Sequence, residues 1–161
     1  MDDDSDEVVA YHEAGHVVMA VLLGGRVRHV TIAPDRDDGP RRFGDTEVHW
    51  PRRKMSPKQM AVAASHVCLA GPAAEMIYTG EPYHPALVRQ WDSDWQSAWS
   101  AAADIEVDEK RRLRWLESVT AAVYRQFNAD HVWAVIASLA DELLAHETLD
   151  AREISDILRS G

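Results

Sequence analysis

Asp6-Glu7-Val8-Val9-Ala10-Tyr11-His12-Glu13-Ala14-Gly15-His16-Val17-Val18-Met19-Ala20-Val21-Leu22-Leu23-Gly24-Gly25 is the stretch from which the fold is read outward. Ser5 or Asp6 stands where a helix N-cap belongs, acidic residues fill the first turn, and the glycine pair supplies a stop. A helix is therefore predicted from Asp6 to about Leu23. On it His12 and His16 lie about 40° apart around the axis and about 6 Å apart along it. Two imidazoles on one face can reach a single cation. Glu13, about 100° round from His12, reaches a water on that cation rather than the cation itself. With 8 His in 161 residues, a His-Glu-x-x-His pattern arises by chance only about 0.03 times in such a chain. The small Ala14-Gly15 spacer lets a neighbouring chain or a substrate approach closely. An amphipathic helix with two hydrogen-bonded histidines is the plainer alternative.

Beyond Gly25, Val27 to Ile32 alternates β-branched and polar residues and is predicted as a strand. Pro34 to Arg42 is a charged turn, and Phe43 to Trp50 a second strand closed by Pro51, giving a short antiparallel pair. The rest is helical. Ser56-Pro57 opens a helix that Gly71-Pro72 should kink or break, with Ala73 to Tyr78 continuing it. Glu81 to Gln90 is a loop with two prolines. Asp92 or Ser93 opens a helix to about Asp104, another runs from about Asp108 to Phe127, and Asn128 or Asp130 starts one ending near His146. Asp150, with Glu153 three residues on, caps a last short helix. The expected fold is a single α+β domain over 1–161, mostly α-helical, with a small antiparallel β pair or sheet after the metal-binding helix and then a helical bundle.

Composition bounds the function. Hydrophobic residues make up 46% and charged residues 27%, the balance of a folded globular chain. The net charge of −10 repels phosphate backbones and anionic membranes, so nucleic acid is not an expected partner. Cys68 is the single cysteine, which excludes an internal disulfide and a cysteine-based zinc cluster. Its apolar neighbours make it a buried, inert thiol. The acidic N-terminus is unlike a secretory signal, and Val17 to Leu23 is too short to span a bilayer. A cytoplasmic location, without a membrane anchor in this chain, is expected.

A hydrolytic metal site needs a third protein ligand and an open position for water. Met19 and Leu22 occupy the stretch where a metzincin histidine would follow. On chemistry alone Glu75, His84, Asp92, Asp94 and Asp104 remain candidates. Two histidines and a carboxylate suit zinc, and they also suit iron.

Several segments, in order, resemble the peptidase domain of the FtsH family of ATP-dependent zinc proteases. They are Tyr11-His12-Glu13-Ala14-Gly15-His16-Val17, Val30-Thr31-Ile32-Ala33-Pro34, and Leu69-Ala70-Gly71-Pro72-Ala73-Ala74-Glu75-Met76-Ile77. Two more are Ser93-Asp94-Trp95-Gln96-Ser97-Ala98 and the run Leu139 to Leu149, with its Glu-Thr-Leu turn. Pro72 and Met76 depart from that family's pattern. The resemblance implies a zinc endopeptidase in which His12, His16 and Asp94 hold Zn²⁺ and Glu13 is the general base; Asp92 is the alternative third ligand. It covers the peptidase part only, so substrate threading would need a separate ATPase partner, and unfolded or flexible polypeptides are the expected substrates.

Glu75 is expected to orient a ligand histidine through its second nitrogen. The 43–50 strand, at Phe43, Gly44, Asp45 and Thr46, is expected to hold extended substrate by strand addition. His66 and His84 are ordinary histidines, and His29, His49, His131 and His146 carry no signal. Trp91, Trp95 and Trp99 form a stripe for core packing, or alternatively an aromatic wall at the cleft. Lys110-Arg111-Arg112-Arg114 is a solvated face. The rival to catalysis is a zinc-binding interaction module without activity; a metal-free helical scaffold is the third possibility.

Overall fold

The computed structural model describes residues 5–33 and 45–160. Helix α1 spans Asp6–Leu22, and the Ser5 hydroxyl caps it by accepting from the Val8 N–H at 3.3 Å. Gly24, at φ +89°, takes the left-handed turn that a side chain would resist, releasing the chain into strand β1, Arg26–Thr31. Strand β2, Asp45–His49, pairs antiparallel with β1. Phe43 and Gly44, expected to begin this strand, lie outside the described residues.

Helix α2, Pro57–Thr79, opens with a complete capping box between Ser56 and Gln59 and a proline in its first turn. The kink or break expected at Gly71-Pro72 does not interrupt it: the helix runs on through Pro72. An interior proline costs roughly 3 kcal/mol locally. Here Leu69 through Met76 are all buried, and packing on several sides holds the segment helical. By length and mean hydropathy (1.4 over its most apolar window) α2 has the composition of a bilayer-crossing helix. It serves as the core helix, packed against α1, α3 and α4.

The 81–90 loop contains two short 3-10 turns, Pro85–Leu87 and Arg89–Trp91, which lead into α3, Asp92–Ala102. Then follow α4, Glu109–Phe127, and α5, Asp130–His146. Strand β3, Thr148–Asp150, and α6, Ala151–Ser160, complete the described chain. The Asp150–Glu153 cap forms as expected, each side chain accepting from the other's backbone N–H. β3 makes the expected antiparallel pair or sheet a three-stranded one. It pairs antiparallel with the other side of β1, giving the order β2-β1-β3. With one buried side chain, Leu149, three residues offer no alternation to read. The α+β, mostly helical class is the one observed.

The tightest contact lies between α1 and α2. A Cβ on Gly15 would sit 2.6 Å from the Ala70 carbonyl oxygen and 2.7 Å from the Ala74 Cβ. What the Ala14-Gly15 spacer admits is thus α2's own backbone. Gly15→Ala is expected to lower the urea midpoint, because overpacking of about 1–3 kcal/mol exceeds the gain of up to about 1 kcal/mol in helix propensity. A raised midpoint would contradict this close packing.

Candidate metal centre

His12 and His16 are buried, at 3% and 7% exposure, in the middle of α1. Their Nε2 atoms are 3.1 Å apart. Asp94, in the first turn of α3, brings Oδ2 to 2.8 Å from His12 Nε2 and 3.4 Å from His16 Nε2. Two ligands on a tetrahedral zinc are about 3.3 Å apart; two of the three separations are near that value, and the shortest, His12 to Asp94, is a hydrogen-bond length. Among the described residues this trio is the group with ligand atoms close enough to share an ion.

The other side of each imidazole is fixed. The Val67 carbonyl accepts from His16 Nδ1 at 2.6 Å. A carbonyl can only accept, so Nδ1 carries a proton, and it is Nε2 that, once deprotonated, offers a lone pair to a cation. Glu75 Oε2 lies 2.8 Å from His12 Nδ1 and does the same for that ring. The expected orienting contact of Glu75 is therefore present. Trp91 Nε1–H donates to the same carboxylate oxygen at 2.7 Å. Trp91, 3% exposed, was expected as part of the stripe, packed in the core or alternatively walling the cleft, and its bond to Glu75 has no signal in the spacing. Its partner is 16 positions away on another helix.

Gly71 makes the confluence possible. A Cβ there would meet His16 Nε2 at 2.4 Å and His12 Nε2 at 2.7 Å, filling the place where the lone pairs converge. The electrostatics favour positive charge at this point. Burial disfavours imidazolium at both histidines, but the Asp94 carboxylate outweighs it; His12 is raised and His16 is raised to about 9. Against its own desolvation, Asp94 is held well below the usual carboxylate range by His16 and His12.

Glu13, 5% exposed, does not join the trio. Its Oε2 accepts from the Thr46 hydroxyl of β2 at 2.6 Å. Glu13, His16, Asp45, Thr46, Cys68 and Asp94 are among the residues that line one cleft of about 260 Å³. The Cys68 thiol is pushed up to about 12 by burial and the nearby Asp94 charge, so it remains protonated and inert in that wall.

The other candidates are elsewhere. Asp92 is exposed on α3. His84 caps the first 3-10 turn through Ala86 N–H and pairs with Glu117 at 3.1 Å. Asp104, in the turn after α3, is outside the trio. His66 bonds the Val62 carbonyl within α2. Trp95 packs near His84 and Trp99, and Trp99 lies under the Arg112 guanidinium at 4.6 Å. These two rings face α4 and the 81–90 turn rather than lining the cleft.

Compared with protein-family models and with curated proteins, the chain matches none.

Glu75→Gln removes the charge that sets the His12 ring. Losses of a ligand's supporting carboxylate run to about 10- to 100-fold in metal affinity, and a drop of that size is expected when zinc is titrated against a competing chelator. Unaltered affinity would remove Glu75 from the centre.

Proposed function

We propose that this chain is a zinc-dependent endopeptidase acting on unfolded or flexible polypeptide segments. The observation that carries it is the convergence of His12 Nε2, His16 Nε2 and Asp94 Oδ2, with Glu13 facing the same cleft. The donor set fits zinc in chemistry and, in two of its three separations, in spacing, and both histidines have their second nitrogens engaged. When bound, zinc supplies a Lewis acid that lowers the pKa of water to about 7 and polarises a carbonyl.

In this proposal the chain's own residues do the rest. Glu13, held by Thr46, takes the proton of the attacking water and returns it to the leaving amine. Val67 and Glu75 keep the two rings aimed. β2 is the sheet edge next to Glu13, and its outer backbone groups suit an extended peptide. A folded substrate cannot offer its backbone to such an edge, which restricts the reaction to unfolded segments or tails.

Glu13→Gln is nearly isosteric and separates catalysis from binding. We expect zinc content to be unchanged and cleavage of an unfolded test protein to fall by at least about 10²-fold. Equal cleavage by wild type and variant would refute the role of Glu13. Zinc-loaded wild type without any cleavage would favour the inactive interaction module instead.

A further inference from the structure

Five cations gather where β1 begins and β2 ends. Antiparallel register sets Arg26 opposite His49, next to the turn that carries Arg52, Arg53 and Lys54. The irregularity between Val27 and His29 leaves Arg28 out of register, and a bulge of this kind re-aims its side chain. All five side chains are exposed, and none has an ion pair among the described residues. The nearest acid on β2 is already engaged: Glu47 pairs with His29 at 2.9 Å and His49 at 3.0 Å. In a chain of net charge −10, such a local excess of positive charge requires a reason.

The patch also has shape. Val48, Trp50 and Pro51 form the apolar part of a hollow of about 570 Å³ that Arg52, Arg53 and Lys54 also line. The Trp50 ring is seated against Gly25, where a Cβ would lie 2.9 Å from Cζ3. The hollow continues the strand that reaches the cleft: Trp50 is four residues beyond Thr46, about 13 Å along an extended chain.

Resting on the peptidase reading, we propose that this basic hollow is a specificity subsite for acidic residues of the substrate polypeptide. A peptide laid along β2 with its scissile bond by Glu13 and Thr46 places residues about four or more positions away over the cations. Charge acts over about 8 Å at physiological salt, so the hollow strengthens binding without reaching the reacting atoms. Its effect belongs in KM.

The test uses fluorescent peptides of one central sequence, flanked four to seven positions away, on either side, by four glutamates or four serines. We expect the glutamate peptide to bind zinc-loaded Glu13→Gln about tenfold more tightly on at least one flank, the sum of a few exposed charge pairs. The ratio should fall to near one in Arg52→Glu/Arg53→Glu/Lys54→Glu, whose folding is checked by its melting temperature, and should shrink with salt. In wild type the same preference should appear in KM and not in kcat. Equal affinities for the two peptides would overturn the subsite while leaving the peptidase intact. Absence of cleavage together with charge-dependent binding would refute the peptidase and keep an acidic-segment site. A single-stranded oligonucleotide that outcompetes the glutamate peptide would reassign the hollow to polyanions.

Discussion

The structure depends on the close approach of two helix backbones. At Gly15 the α2 carbonyl of Ala70 occupies the space of a missing side chain, and at Gly71 the two imidazoles occupy another. Each glycine serves the other's helix. Gly15 lets α2 come near enough for the Val67 carbonyl and Glu75 to bind the Nδ1 atoms. Gly71 then leaves room on α2 for the Nε2 atoms to converge. Larger residues would push the helices apart, and the second-nitrogen contacts, with their short hydrogen-bond lengths, would be the first to fail.

From that contact the polar network spreads outward in order. Glu75 holds His12 and is itself held by Trp91, which ends the 3-10 turn immediately before α3. The same turn therefore delivers Asp94 to the open side of the histidines and anchors the carboxylate behind them. On the opposite wall β2 is fixed by β1, and Thr46 meets Glu13. Because β3 occupies the far side of β1, β2 is left as the edge on the cleft side. A buried set of charged and polar groups this size is tolerable only when its members are paired, which is how the trio, Glu13 and Glu75 are found.

Much of this was legible because helical spacing is a strong code. His12, Glu13 and His16 declare a shared face without any partner, and the Ser56 and Asp150 caps are short local patterns. Asp94 was not legible from spacing: it stood among five candidates and was singled out only by resemblance to a family. Trp91 was missed because its tie to Glu75 crosses between elements, where no periodicity reaches. β3 was missed because three residues are too few to alternate. Pro72 misled for the opposite reason: a strong local signal was overridden by tertiary burial. Phe43 and Gly44, proposed to bind substrate, lie outside the described residues, while Asp45 and Thr46 stand at the cleft.

The measurement that tests the central claim most directly is elemental analysis of the purified protein, beside His16→Ala and Asp94→Ala. The account predicts about one zinc per chain in the wild type, lost from both variants while each remains folded. Zinc absent from the wild type after purification without chelators, or retained in full by Asp94→Ala, would contradict it.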